Sequence, residues 1–297
     1  MLGRGTEERV PHTMSRMGDV LAGFHAAWEF ESDSVLIRYE RGMRTPKLFQ
    51  ALGERRVPLE AIAGVTLTRG KRGTVVLRME PRPGADPLME AAAGQLKESG
   101  DPYRLVLPAD REVLAEYYAD ELRTLLTESG PADRFLVEPP EGPLSFKAYD
   151  GKATFDGRTV NFRWFWTGAS SAKWKAGDQS FSVGELSGVE WRSPEVFEGH
   201  LRLLRRDTAV AAPSQADLDP AAVVFGLGYG PVHESLPFAA AVLAAVRTSS
   251  PVAAAPAPRR DPADIAERIR HLGELHQAGL VTDEEFSVKK AELLSEL

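Results

Sequence analysis

The chain repeats itself with a period near 124 residues, and this repeat limits the folds available to it more than any single motif does. The clearest match aligns "PLEAIAGV" in the first half with "SVGELSGV" in the second. Gly64 and Val65 then fall on Gly188 and Val189, both with an offset of 124. The sequence therefore encodes two copies of one unit, each of roughly 100 residues, which is a common domain size.

Within each copy, short segments alternate apolar and polar residues, as strands with one buried face do. These segments are residues 32–42, 55–70 and 73–80 in the first copy, and 155–166, 179–193 and 199–206 in the second. Each copy then ends in a short apolar run and a segment with helical spacing, at 109–126 and 232–248. The pattern predicts an α+β fold in which two antiparallel β-domains are each closed by a C-terminal helix.

This order of elements resembles the pleckstrin-homology (PH) superfold, a bent antiparallel sheet plugged by a C-terminal helix. Its duplication, followed by a short tail, resembles a bacterial PH-like family of unknown function, over about residues 20–248. The predicted organisation is a disordered leader (1–17), PH-like copies (18–128 and 133–248), a Pro/Ala linker (249–260) and a helical hairpin (261–297).

Composition excludes several kinds of functional site and argues against a membrane-spanning or secreted protein. The chain has no cysteine, which excludes disulfides, thiolate metal sites and cysteine nucleophiles. A net charge of −7 argues against general nucleic-acid binding, because that binding depends on neutralising phosphates. The apolar run at 237–246 is about half of the roughly 20 residues that a membrane span needs. The N-terminus lacks the apolar core of a secretory signal, so we expect a cytoplasmic protein, free or at the membrane periphery.

The C-terminal segment carries clear signals for a helical hairpin. Pro262 suits the first helical position, Gly279 the C-terminal cap, and Thr282 with Glu285 forms a capping box for the second helix. Helices this short are marginal alone in water, so their apolar face must be covered by something else. The residues predicted to form this oligomerisation or docking face are Ile265, Ile269, Leu272, Leu275, Leu280, Phe286, Leu293 and Leu294.

The same segment, with "GLVTDEEF" at the corner and "KKAELL" after it, resembles the SHOCT family of short C-terminal domains over residues 264–294. That resemblance implies a role in oligomerisation or localisation, with the chain itself or another protein as the partner. The alternative is that the hairpin docks on its own body. The Pro/Ala linker favours the first interpretation, because such runs are extended spacers that resist packing.

Basic residues concentrate between Arg38 and Arg82, where eleven Lys/Arg stand against four acids. Some follow one predicted strand, and "RGKRG" at 69–73 is typical of a hairpin tip. The candidates for holding an anionic ligand are Arg38, Arg41, Arg44, Arg69, Lys71 and Arg72. In PH-like folds such residues can hold phosphorylated lipid heads, and basic clusters gain energy near an anionic leaflet. The alternative is a solvated loop with no ligand.

The densest aromatic patch is "VNFRWFW" at 160–166, together with Trp174. Strand alternation places Phe162, Trp164 and Trp166 on one face and Phe165 on the other. One interpretation assigns the first face to the core and Phe165 to the contact between the copies. The other is an exposed aromatic surface for a peptide or a lipid, formed by Phe165, Trp166 and Trp174.

No residue set indicates a reaction. The glycines of "VVFGLGYGPVHE" lack the spacing and the downstream acid of a dinucleotide fingerprint. No two histidines have metal-binding helical spacing, and there is no G-x-S-x-G elbow. We therefore expect no metal, no cofactor and no catalysis, and a scaffold or adaptor that binds through its tandem domains. The alternatives are a peripheral membrane protein using the basic face of the first copy, and an enzyme with a site between the copies.

Overall fold

The computed structural model describes residues 19–206 and 215–249. The chain divides into two compact units, residues 1–249 and 250–297. All described residues belong to the first unit. The predicted leader (1–17), the linker from residue 250 onwards and the hairpin (261–297), including its predicted oligomerisation face, lie outside the described residues.

The first copy contains two antiparallel meanders. Its strands are β1 (Asp19–Ala22), β2 (Ala26–Phe30), β3 (Ser34–Tyr39), β4 (Glu54–Pro58), β5 (Ile62–Arg69), β6 (Thr74–Pro81) and β7 (Arg104–Pro108). The first four form one sheet in sequence order, and the last three form another. Its helices are α1 (Lys47–Leu52), α2 (Pro87–Ala92) and α3 (Glu112–Leu125). Consecutive strands pair because tight turns leave each one beside its predecessor.

The second copy has the same order of strands. Its strands are β8 (Ser145–Lys147), β9 (Gly151–Phe155), β10 (Thr159–Trp164), β11 (Gln179–Ser182), β12 (Leu186–Arg192), β13 (His200–Arg205) and β14 (Ala222–Val224). Strands β8 to β11 form a four-stranded sheet and β12 to β14 a three-stranded one. Its helices are α4 (Ser171–Ala176) and α5 (Val232–Ser249). The predicted α+β class, with antiparallel β-units in tandem, is therefore confirmed.

The two predicted long helices exist as α3 and α5, but the short helices α1, α2 and α4 were not predicted. Each has six residues, which is under two turns and too short for an apolar period to stand out. Helices α1 and α4 occupy the same place in the repeat, between the third and fourth strands of each copy. The structure thus adds an element to the repeat that the sequence pattern did not show.

Helix α5 joins the two copies. Most of its residues are buried, as its nearly continuous apolar sequence predicts. It packs on β12 of its own copy and on α2 of the first copy, so both copies contribute to one core. Gln95 of the first copy adds a polar tie: its side chain donates to the Trp191 carbonyl at 2.9 Å and accepts the Ser193 N–H at 2.9 Å.

Candidate functional site

The basic residues predicted in the first copy lie at two separate places, and some of their charge is already neutralised. Arg38, near the end of β3, pairs with Glu29 and, at 3.1 Å, with Glu54. Arg69, at the end of β5, lies 3.4 Å from Glu112 on α3. An ion pair of this kind reduces the positive potential that an anionic ligand would meet.

The other four candidates, Arg41, Arg44, Lys71 and Arg72, are exposed and form no ion pair with any described acidic residue. Arg41 and Arg44 lie in the loop before α1, whereas Lys71 and Arg72 form the tip of the β5–β6 hairpin. The structure does not bring these two groups into one hydrogen-bonded cluster. The anionic-ligand site on the first copy stays a prediction.

The aromatic patch of the second copy divides into a core part and an exposed part. Phe162 and Trp164 are buried, as alternation along β10 predicts. The strand ends at Trp164, so alternation stops there, and Trp166 in the following loop is 76% exposed. Trp174 on α4 is 49% exposed and meets Trp166 edge to face, with ring centroids 4.9 Å apart. Phe165, which lies between Trp164 and Trp166 in the sequence, is half-buried.

A second exposed aromatic pair lies beside the first. Tyr149 and Tyr229 meet edge to face with ring centroids 6.4 Å apart, and each is about half exposed. The Trp166 loop touches this pair through Gly168, where a Cβ atom would lie only 2.2 Å from the Tyr149 carbonyl oxygen. Glycine is required there because the two segments approach so closely. We call these four side chains, Tyr149, Trp166, Trp174 and Tyr229, the aromatic rim.

Three cations lie side by side at the same end of the sheet. Lys147 ends β8 and pairs in register with Lys152 on β9, which in turn pairs with Arg163 on β10. All three side chains are exposed. Tyr149 follows Lys147 by two residues and Trp166 follows Arg163 by three, so these two aromatic residues come directly after the strand ends that carry the cations. We call Lys147, Lys152 and Arg163 the basic row.

Sequence reasoning missed the basic row, although the internal repeat contains a signal for it. At the matching register of the first copy, Ala22 pairs with Ala27, and Ala27 pairs with Arg38. The second copy has lysine at both alanine positions. At these strands the two copies are offset by 125 residues, whereas the clearest match gives an offset of 124. An alignment made with the single offset of 124 therefore does not place the two lysines opposite the two alanines.

A buried ion pair holds the two halves of the aromatic rim in place. Lys173, which precedes Trp174 on α4, is fully buried, and its Nζ donates to Asp150 Oδ2 at 2.5 Å. Asp150 follows Tyr149, and its other oxygen accepts the Val224 N–H at 3.0 Å. Burial lowers the pKa of the Lys173 ammonium and raises the pKa of the Asp150 carboxyl, although each partner's charge opposes the shift.

The two copies pack different side chains of the short helix against the aromatic ring of the third strand. In the first copy, Phe49 on α1 stacks on Tyr39, with ring centroids 4.9 Å apart. In the second copy, Lys173 takes the place of Phe49, and its Nζ lies 5.0 Å from the centroid of the Trp164 ring. A cation above an aromatic face is attracted to it, so the lysine keeps a contact with the ring while Asp150 supplies the opposite charge. The second copy has therefore acquired a buried charge where the first has an apolar contact.

The described residues also enclose cavities that bear on catalysis. A cavity of about 410 Å³ lies between the copies, with Lys47 and Lys97 on one side and the glycine-rich loop 226–230 on the other. Burial lowers the pKa of His233, which lines it. Glu195 is the one carboxylate among the described lining residues, and it pairs with Lys97 at 3.1 Å. The single carboxylate in this lining is therefore already neutralised by a lysine.

Residues 19–206 and 215–249 contain neither a candidate metal cluster nor a candidate membrane span. No group of three histidine or acidic side chains within these ranges could hold a metal ion. No helix that the structure describes has the length and apolar character to cross a bilayer.

Because Trp166 is largely exposed, we expect Trp166→Ala to lower the free energy of unfolding by at most about 1 kcal/mol, mainly through the lost edge contact with Trp174. Urea denaturation measures this change. The matched control is Trp191→Ala, which removes a buried indole that donates to Ser235 Oγ at 3.0 Å and should cost several times more. Equal losses in the two variants would mean that Trp166 is part of the core and not of a free surface.

Comparisons with known proteins support the interpretation of the repeat and of the tail. A family model described as "Domain of unknown function (DUF4429)" matches residues 28–123 and again residues 153–243. A second model, described as "Short C-terminal domain" (SHOCT), matches residues 267–294, which confirms the resemblance found in the tail. A comparison with curated proteins gave no match. The two matches to the first model cover more than half of the sequence, and the chain therefore belongs to the DUF4429 family, with its domain present twice and a SHOCT domain behind it.

Proposed function

We propose that this protein is a non-catalytic scaffold or adaptor of the cytoplasm that binds a partner through the loop end of its second copy. The observation that carries the proposal is the aromatic rim. Four large aromatic side chains in two edge-to-face pairs, each about half exposed or more, are costly to leave in water unless they contact something. Tyrosine and tryptophan are also the residues most enriched in the central contacts of protein interfaces.

The architecture supports a binding role of the PH-like kind. Each copy has four strands, then three strands, then a C-terminal helix, and the third and fourth strands are separated by a short helix. Such a framework holds its loops rigidly at one end, where binding surfaces are commonly built. The first copy shares the framework but has Arg41 and Gln50 at the positions that correspond to Trp166 and Trp174. We assign the first copy a mainly structural role, because it shares a core with α5.

The tail supplies the second part of the proposal. The SHOCT match at 267–294 lies C-terminal to a Pro/Ala linker, and apolar residues of the predicted hairpin, such as Ile265, Leu272 and Phe286, need a partner surface. Self-association through this tail would place several copies of the aromatic rim in one assembly. Tethered copies turn weak single-site binding into a tighter multivalent contact, so avidity is the proposed mechanism.

Self-association predicts a difference in solution mass between the full chain and a chain that ends at Ser249. We expect light scattering to find an oligomer for the full chain and a monomer for the shortened one. The shortened chain keeps the whole first compact unit, so it should retain its fold. A matched control is the full chain with Leu272→Glu and Phe286→Glu, which should also be monomeric. Monomers for both the full and the shortened chain would contradict the proposed tail function.

A further inference from the structure

The basic row places like charges at the closest spacing that a sheet allows. Lys147 and Lys152 are direct cross-strand partners, and so are Lys152 and Arg163. Partners in register have Cβ atoms about 5 Å apart on the same face, where like charges repel each other. A row of this kind lowers the stability of the free protein, and a bound anion would remove the repulsion.

No described acidic side chain forms an ion pair with the basic row. Two carboxylates lie near it, but both have other partners. Asp150 is buried against Lys173, and Asp178 accepts the Trp164 N–H at 3.1 Å. The first copy differs, because its one cation in the matching line, Arg38, pairs with two glutamates. The positive charge of the second copy therefore remains available to a ligand.

Tyr149 and Trp166 of the aromatic rim follow Lys147 and Arg163 closely in the chain, and the rim adds an apolar component. Leu227, in the same loop as Tyr229, is fully exposed. Tryptophan and tyrosine partition to the boundary between water and hydrocarbon, because their rings are apolar and their N–H or O–H groups are polar. A partner that satisfies both features must present a layer of negative charge with apolar material directly beneath it.

We infer that the loop end of the second copy binds the surface of an anionic phospholipid bilayer, with the basic row on the headgroups and the aromatic rim at the interface. This inference rests on the proposed function, because it names the partner of the same surface. A bilayer fits better than a nucleic acid, because nucleic-acid affinity depends on neutralising many phosphates and the basic row supplies only three cations. At physiological ionic strength charges beyond about 8 Å are screened, so the distant acids do not prevent local attraction.

Co-sedimentation of the full chain with vesicles tests this inference. Vesicles of phosphatidylcholine with phosphatidylglycerol should bind the protein, and vesicles of phosphatidylcholine alone should bind it at least tenfold less. Replacing Lys147, Lys152 and Arg163 together by glutamine should weaken binding to the anionic vesicles about 100-fold, since each lost charge weakens it roughly fivefold. Replacing Trp166 and Trp174 by alanine should weaken it about tenfold.

The matched control replaces Arg69, Lys71 and Arg72 by glutamine, which changes the net charge by the same amount on the first copy. We expect it to retain binding within about threefold. The residues replaced in both charge variants are exposed. Replacing the basic row also relieves repulsion, so the thermal midpoint of the variant without Lys147, Lys152 and Arg163 should equal or exceed that of the wild-type protein. That result separates lost binding from lost folding.

The outcomes separate this inference from the proposed function. Equal weakening by both charge triples, or stronger weakening by the control triple, would overturn the inference. It would also be overturned if anionic vesicles bind no better than neutral ones while polyglutamate binds through the basic row, since the partner would then be an acidic protein. The proposed adaptor would survive that result. A monomeric full chain would remove the tail's role but leave the membrane inference intact.

Discussion

Replacing Asp86 by alanine is expected to lower the free energy of unfolding by about 3–5 kcal/mol, because it leaves a buried guanidinium without its counterion. Arg55 on β4 is buried and donates from Nη2 to Asp86 Oδ1 at 2.8 Å. Burial lowers the pKa of Arg55, but Asp86 together with Tyr103 and Tyr39 outweighs burial, and the pKa of Arg55 is raised above its ordinary value. Two other guanidinium nitrogens of Arg55, Nε and Nη1, have no hydrogen-bond partner in the described structure, so Asp86 is the group that compensates the buried charge.

Asp86 also carries structural hydrogen bonds. Its Oδ1 accepts the Leu88 N–H at 2.8 Å as the N-cap of α2, and its Oδ2 accepts the Tyr103 hydroxyl at 2.6 Å. Because α2 packs against α5, loss of this cap should weaken the contact between the copies.

Urea denaturation, with hydrogen exchange of α5, measures the effect of Asp86→Ala. Tyr103→Phe is the graded control, since it removes one donor and should cost about 1.5–3 kcal/mol. If Asp86→Ala lowers the free energy of unfolding less than Tyr103→Phe does, the buried Arg55–Asp86 pair does not stabilise the contact between α2 and α5.

For the second copy, we expect Asp150→Asn to destabilise the protein by about 3–5 kcal/mol near neutral pH. Asparagine has the same shape and can still accept the Val224 N–H, so the substitution removes mainly the negative charge. Lys173 then stays buried with no opposite charge at 2.5 Å. Chemical denaturation at pH 6 gives the loss, with wild-type protein measured in parallel.

The cost of Asp150→Asn should shrink as the pH rises. Burial already lowers the pKa of Lys173, and without Asp150 that pKa should fall further below its value in the unfolded chain. Between the two values the unfolded state binds more protons than the folded state, so the free energy of unfolding increases with pH. Denaturation at pH 9 should therefore show a smaller difference from wild type than at pH 6. A difference that stays constant or grows would contradict this account.

The double variant Asp150→Asn with Lys173→Met separates charge from packing. A buried pair can be replaced by apolar groups at little cost, and the first copy already uses Phe49 at this position. We expect the double variant to recover at least half of the loss and to lack the pH dependence. If the single and double variants are equally unstable, the lost charge is not the cause.

Local patterns predicted much of this protein correctly. Alternation located β3 to β6 and β10 to β13 but did not show β1, β2, β8 or β9. Helical spacing located α3 and α5, because both periods follow from backbone geometry. Trp166 shows where such reasoning stops. The period of two holds only while the strand continues. Because β10 ends at Trp164, the side chain of Trp166 does not have to lie on the core face, and it is exposed.

The sequence by itself determined that the chain contains one repeated β-unit, that a helix closes each copy and that a SHOCT segment follows. These features are encoded in periodicity, capping residues and motif spacing, which are local. Only the tertiary structure decided which charges are neutralised and which aromatic rings are exposed. Arg38 finds glutamates on neighbouring strands, whereas Lys147, Lys152 and Arg163 align with one another. Such pairings depend on strand register and loop packing between residues distant in the chain, and a single sequence does not specify them locally.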